Sequence, residues 1–336
     1  MAIDQSAYTF TPVTLPGIDG VPLLQDINNR GDIVGEFDAL HGFLLRNGEV
    51  TVLDVPGAIR TVAQGINDRG DIVGTYLDPE FILHGFLYRH GDYTLLDIPG
   101  ADYTDVTGIN NRGQVVAFVS AGSTGTEPGG YIYENGAWSK ITAPGNPNAY
   151  LVPDSINNRG VIVGSSENEG FVLDDGQLTL VDNPLSGFFI DFEDINNRGQ
   201  AVGTLSPGQR FVAGFVYEDG EVTTFGPPAA VGRPVSWYLN GINDAGAVVG
   251  NYGFSGFQDE FAFLATPKAA GPPKPAHPAV DWNALAARVE ANFAATGKWF
   301  VPDDVSVPDP AHPVVDWNAL AAQVQANFAE TGMWFL

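Results

Sequence analysis

The chain has 336 residues, 40 acidic against 15 basic side chains, a net charge of −25, no Cys, 41 Gly and 24 Pro. Its length allows a sizeable core, and the lack of Cys excludes disulfides, thiol nucleophiles and Cys-ligated metals. Of the 11 basic residues before Pro267, five are arginines of one repeated phrase, so no basic patch is left to neutralise phosphates. Nucleic acid and anionic membrane are therefore excluded as expected partners, which leaves neutral ligands or cations such as Ca²⁺.

The opening segment, Met1 to Ala7, has neither the basic nor the apolar part of a secretory leader. No apolar run approaches the roughly 20 residues of a membrane helix. Tyr8-Thr-Phe-Thr-Pro-Val-Thr-Leu-Pro-Gly17 is rich in β-formers, and it matches Val50–Gly57 and Tyr93–Gly100 down to the final Pro-Gly.

A phrase then recurs six times: Ile27-Asn-Asn-Arg-Gly31, Ile66-Asn-Asp-Arg-Gly70, Ile109-Asn-Asn-Arg-Gly113, Ile156-Asn-Asn-Arg-Gly160, Ile195-Asn-Asn-Arg-Gly199 and Ile242-Asn-Asp-Ala-Gly246. The steps are 39, 43, 47, 39 and 47 residues, a period of radial or solenoidal repeats. In the second unit Val62–Asn67, Asp71–Tyr76, His84–Arg89 and Tyr93–Ile98 read as four strands separated by Gly and Asn/Asp turns. Such a sheet cannot bury both faces alone, and six arranged radially can. The sixth unit lacks a fourth strand, and Tyr8–Gly17 supplies one. The expected fold is all-β: a six-bladed β-propeller of four-stranded blades over residues 1–266, with the N-terminal strand closing the last blade. The repeated Ile is expected in the core, and Asn-Asn/Asp-x-Gly in a hairpin that needs positive φ, with Asn and Asp side chains bonding nearby backbone.

The phrase Ile-Asn-(Asn/Asp)-x-Gly-x-(Ile/Val)-Val-Gly, followed by His41-Gly-Phe43 or His84-Gly-Phe86, resembles the bacterial extracellular repeats named HAF for their His-Ala-Phe triplet. The resemblance covers about residues 8–266 and implies a secreted repeat protein without specifying an activity. This chain has Gly for the middle Ala and keeps the His in two units only.

Function on a repeat scaffold sits where the repeats diverge. Six residues before the repeated Ile stand Val21, Arg60, Tyr103, Tyr150, Phe189 and Ser236, with Trp237 and Tyr238 following the last. Two before it stand Gln25, Gln64, Thr107, Asp154, Glu193 and Asn240, and four before it Asp105 and Asp191 occur. Aromatic faces beside carboxylates suit sugars, whose C–H faces stack while hydroxyls hydrogen-bond. The candidate ligand-binding set is therefore Tyr103, Tyr150, Phe189, Trp237, Tyr238, Asp105, Asp154, Asp191 and Glu193. The rival reading packs these aromatics between blades. The same acids would also serve a Ca²⁺ ion, or general acid/base catalysis in a hydrolase or lyase. No Gly-x-Ser-x-Gly, His-Glu-x-x-His, P-loop or dinucleotide-binding motif occurs.

After Pro267 the composition changes. A Pro-rich linker, residues 267–275, precedes a tandem over 276–336, in which Pro275–Phe300 recurs as Pro310–Phe335 at 21 of 26 positions. Trp282, Leu285, Val289 and Phe293, and equally Trp317, Leu320, Val324 and Phe328, fall at amphipathic-helix spacing. These helices are expected to dock on the propeller, to bind a partner, or to engage secretion machinery. The Met333-Trp-Phe-Leu336 end looks like cargo of bacterial type I secretion, and implies export without an N-terminal signal peptide. The reading is a secreted binding or adhesion module for carbohydrate or another cell-surface ligand, with an enzyme or a tail-assembled structural protein as alternatives.

Overall fold

A computed structural model describes residues 7–120, 126–143, 149–185, 189–208, 211–226, 236–254 and 260–268. The tandem after the linker lies outside the described residues. Every regular element among them is a β-strand. None is a helix long and apolar enough to cross a membrane.

β1 (Tyr8–Pro12) precedes the first repeat, which contributes β2 (Leu23–Ile27), β3 (Ile33–Phe37), β4 (His41–Arg46) and β5 (Glu49–Leu53). The second repeat gives β6 (Arg60–Ile66), β7 (Ile72–Leu77), β8 (Leu83–Arg89) and β9 (Asp92–Leu95). The third gives β10 (Asp105–Ile109), β11 (Val115–Val119), β12 (Gly129–Glu134) and β13 (Ala137–Lys140). The fourth gives β14 (Val152–Ile156), β15 (Ile162–Ser166), β16 (Glu169–Asp174) and β17 (Gln177–Val181). The fifth gives β18 (Phe189–Ile195), β19 (Ala201–Gly208), β20 (Phe211–Glu218) and β21 (Glu221–Phe225), and the sixth β22 (Ser236–Ile242), β23 (Val248–Gly253) and β24 (Glu260–Pro267).

The first four repeats each form a separate four-stranded antiparallel sheet. The expectation of six separate sheets is corrected at the fifth and sixth. There the strands join into one eight-stranded sheet, through a single parallel pair between Val212 of β20 and Ser236 of β22. β1 lies antiparallel to β24, with Thr9 opposite Thr266 and Thr11 opposite Leu264. The opening strand thus completes the sheet of the last repeat. Its Tyr8 and Phe10 rings lie 4.9 and 5.9 Å from Phe225 of the fifth repeat, and Phe10 also packs on Trp237 and Phe263.

The repeated phrase explains how the sheets stand around an axis. Each phrase Ile is buried, from Ile27 to Ile242. Asn28 folds the turn that follows: its Oδ1 accepts the amides of Arg30 and Asp32, and Gly31 takes φ 80°, a conformation that costs Gly nothing. Its Nδ2 donates to the carbonyl of Asn67 in the next repeat. Asn67 donates in turn to Asn110, Asn110 to Asn157, Asn157 to Asn196, Asn196 to Asn243, and Asn243 back to Asn28. Six buried amides therefore close a continuous circle. A second, more exposed circle runs beside it, in which the backbone amide of Asn29 donates to Asp68 and that of Asp244 to Asn29. Asp68 and Asp244 also accept side-chain amides from their neighbours on both sides. Strands radiating from a ring of this kind constitute a β-propeller.

The Gly of the Val-Gly pair has a steric cause. A Cβ at Gly74 would lie 2.0 Å from the Val62 carbonyl, and one at Gly203 would lie 2.1 Å from that of Asp191.

Candidate functional site in the axial channel

The innermost strands β2, β6, β10, β14, β18 and β22 share an irregularity. Each pairs with its neighbour through a register shift, between Leu24 and Asp26 in the first repeat and between Phe192 and Asp194 in the fifth. Residues five and three before the repeated Ile point into the core. Pro22, Thr61, Thr104, Leu151, Ile190 and Trp237 are all buried, as are Leu24, Ala63, Val106, Pro153, Phe192 and Leu239. Residues six, four and two before it take the other face, by strand alternation.

This parity divides the expected ligand set. Trp237 is 1% exposed and stacks on Phe263 at 4.4 Å. It is corrected from ligand contact to core residue: its column packs between the repeats. Tyr150, Phe189 and Tyr238 are 41%, 38% and 38% exposed. Tyr103 is half-buried. Tyr150 packs edge-on against Phe118 at 5.7 Å, and its phenol is pushed up by burial and by the neighbouring Tyr103.

Asp105, Asp191 and Glu193 lie close enough to Asp154 for their charges to act on it. Burial pushes Asp154 well above the usual carboxylate range, and Asp191, Glu193 and Asp105 add to the shift. Burial, then Asp191 and Asp194, push Glu193 up to about 8. Asp105 and Asp191 are raised by burial too, although Ser165 donates to Asp191. The third, fourth and fifth repeats thus contribute four acids whose carboxyls are all raised above their ordinary range by burial. At the position of Asp154 and Glu193, Thr107 and Asn240 donate to the Pro153 and Leu24 carbonyls of the following repeat. Asp154 Oδ2 and Asp191 Oδ1 are buried without a partner.

A second acidic group escapes a reading of the sequence alone. The residue just before the repeated Ile is Asp26, Gly65, Gly108, Ser155, Asp194 or Gly241, and the bulge turns this column toward the axis. Asp26 accepts the amides of Ile27 and Ile66 at 2.6 and 2.7 Å. Asp194 accepts the hydroxyl of Ser155 at 2.6 Å and the amides of Ile195 and Ile242 at 2.7 Å each. The two carboxyls hydrogen-bond across the axis, and burial followed by the charge of Asp194 pushes Asp26 well up. With Ser155 they line a cavity of about 60 Å³ whose rim is the Asn/Asp circle. The alternation of Gly with Asp and Ser in that column is the signal that could have found it.

Arg60 and the two repeat histidines are paired within the fold. Arg60, in the same column as Tyr103, forms a bidentate pair with buried Glu36 at 2.7 and 3.0 Å. His41 pairs with Asp54 at 2.9 Å. His84 lies 2.7 Å from Asp97 and 3.2 Å from Asp78. Among the described residues no group of three or more His, Asp or Glu side chains has metal-holding geometry.

No protein-family model matches the chain, and no curated protein matches it. Solved structures similar to it include YCF48 bound to D1 peptide, at 13% identity and TM-score 0.40, covering 81% of this chain and 99% of that one. TolB from Acinetobacter baumannii aligns at 12% identity and TM-score 0.45, over 76% of this chain and 67% of its own. A putative oxidoreductase (glucose dehydrogenase) from Thermus thermophilus aligns at 10% identity and TM-score 0.45, over 77% and 99%.

Proposed function

We propose that this chain is a ligand-binding propeller that takes a carbohydrate, or a similar hydroxyl-rich group of a cell surface, at the channel mouth of its third to fifth repeats. The observation that supports this most is a coincidence of position. Tyr103, Tyr150 and Phe189 stand on the same three successive repeats as Asp105, Asp154, Asp191 and Glu193. Rings at the rim offer stacking faces. A carboxyl that retains its proton, as Glu193 does when pushed up to about 8, both donates and accepts, as sugar hydroxyls require. Partnerless oxygens on Asp154 and Asp191 offer acceptors that a ligand hydroxyl would satisfy. The closed circle of six amides supports reading the eight-stranded sheet as two blades, which makes the propeller six-bladed. Export from a bacterial cell fits this reading, as do the resemblance to HAF repeats and the form of the C-terminal tandem.

Glycan-array binding by the full chain tests the proposal. Binding should be lost in Tyr150→Ala and Asp154→Asn variants that still melt cooperatively. Absence of binding, or binding that both variants retain, refutes it. A second reading rests on Glu193, whose carboxyl is pushed up to about 8 beside Asp191. That is the setting of a general acid in a hydrolase or lyase. Turnover of a bound glycan, abolished by Glu193→Gln with binding kept, would favour it.

A further inference from the structure

The turn between β7 and β8 is longer than those of the first and fourth repeats. The first repeat joins β3 to β4 through residues 38–40, and the fourth joins β15 to β16 through 167–168. The second uses five residues, Asp78 to Ile82. They are tightly held. Asp78 N donates to Ile82 O at 3.1 Å, and Phe81 N to Asp78 O at 3.0 Å. Asp78 Oδ1 accepts the amides of Glu80 and Ile82 at 2.9 and 2.8 Å. Its Oδ2 meets His84 Nε2, and the His84 ring is fixed by Asp97 and stacked on Tyr76 at 5.0 Å.

At the tip of this braced turn stands Phe81, with φ 64° and 75% of its surface exposed. A bulky L-residue in the left-handed region is strained. Glycine would remove that strain and the exposed ring together. The Phe81 ring gains no compensating burial, so the fold alone gives no reason for this residue.

Its surroundings are apolar and acidic. Ile82, Leu40 and Ile59 are 41%, 50% and 40% exposed. Thr61 N donates to Leu40 O and Ile59 N to Leu77 O, which gathers these segments at one end of the first two sheets. The same turn carries Asp78 and Glu80, Asp38 lies two residues before Leu40, and Arg60, next to Ile59, is engaged by Glu36. Thr104 N donates to Leu83 O, so this is the end that also bears Tyr103.

We propose that Phe81 anchors a docking surface for a protein partner that offers an apolar pocket bordered by Lys or Arg. A rigid, pre-formed aromatic knob loses little entropy on binding, and central aromatic residues dominate interface energetics. The acidic border selects a basic partner. It repels a second copy of this chain, whose net charge is also −25.

The test pans a phage-displayed random peptide library against the full chain. The enriched peptides should combine aromatic or aliphatic residues with Lys or Arg, and bind more weakly as salt rises. Phe81→Ser should weaken them roughly 30-fold, as expected for a hot-spot residue. Phe81→Leu should retain most of the affinity, and Asp154→Asn all of it. The melting temperature of Phe81→Gly should exceed that of the parent, because glycine alone escapes the left-handed strain, and that of Phe81→Ser should stay close to it. The proposal is overturned by peptides that bind Phe81→Ser as tightly as the parent, or by a library that yields no binder. Stability that falls by several degrees in both variants, or dimers at micromolar concentration that Phe81→Ser dissolves, would overturn it as well.

Discussion

Replacing Asn157 by Ala removes one member of the circle of amides. The side chain is 3% exposed. It donates to Asn196 O at 3.1 Å, and its Oδ1 accepts the amides of Arg159 and Val161 at 3.0 and 3.1 Å. Arg159 is exposed, so its amide can turn to water. Val161 is buried and the Asn196 carbonyl sits in the ring, so both lose their partners without replacement. A buried polar group left unpaired costs about 1–3 kcal/mol, and two such groups are left here. The expected destabilisation is about 3–5 kcal/mol, or a melting temperature lower by roughly 10 °C for a unit of this size. Calorimetry and urea unfolding of the full chain would measure it. Arg159→Ala, on the same turn, is the control and should stay within about 0.5 kcal/mol of the parent. A loss below about 1 kcal/mol for Asn157→Ala would mean that the circle does not hold neighbouring repeats together.

Three further outcomes follow from the charged groups. Glu193 has a folded pKa of about 8 against an ordinary 4.5, so the native state holds a proton that the unfolded chain releases. Stability should therefore fall as pH rises from about 4.5 through 8, and Glu193→Gln should flatten that slope in urea midpoints; a midpoint that rises over this range contradicts the assignment. His84 is raised above 6.5 by its bonds to Asp97 and Asp78, which outweigh burial. Its contribution should be complete below 6.5 and vanish as pH passes its raised value; NMR titration should show Asp97→Asn lowering that value, and no change would refute the pairing. Arg60→Ala strands the buried Glu36 carboxylate and should cost about 2–3 kcal/mol, most of it restored by adding Glu36→Gln; a cost that the second substitution leaves intact would refute the ion-pair account.

Much of the ring is legible in the sequence because it is written six times. The phrase Ile, the Gly turn and the Pro-Gly match of Tyr8–Gly17 are local signals, and each maps to a buried strand end, a positive φ or a strand pairing. Strand limits are close: the second unit's inner strand is Arg60–Ile66 against an expected Val62–Asn67. The merging of the last two sheets depends on one pair, Val212 with Ser236, between segments with no shared motif. Trp237 departs from expectation because parity along the strand outweighs its proximity to the variable column. Its own column of Pro22, Thr61, Thr104, Leu151 and Ile190 is uniformly buried. The Asp26–Asp194 pair is hidden by the bulge, which turns the residue before the repeated Ile toward the axis against simple alternation. Phe81 lies outside the connections between repeats, where divergence is expected to carry function; its turn joins two strands within one repeat.

The central claim is that the chain closes on itself, with its first strand in the last sheet. Because the chain has no Cys, a designed cross-link reads this cleanly. Thr9 lies opposite Thr266, so Thr9→Cys with Thr266→Cys should oxidise to an intramolecular disulfide and raise the melting temperature, while Thr9→Cys with Thr51→Cys should remain reduced. Equal cross-linking in both pairs, or only intermolecular dimers from the first, would contradict the closed ring.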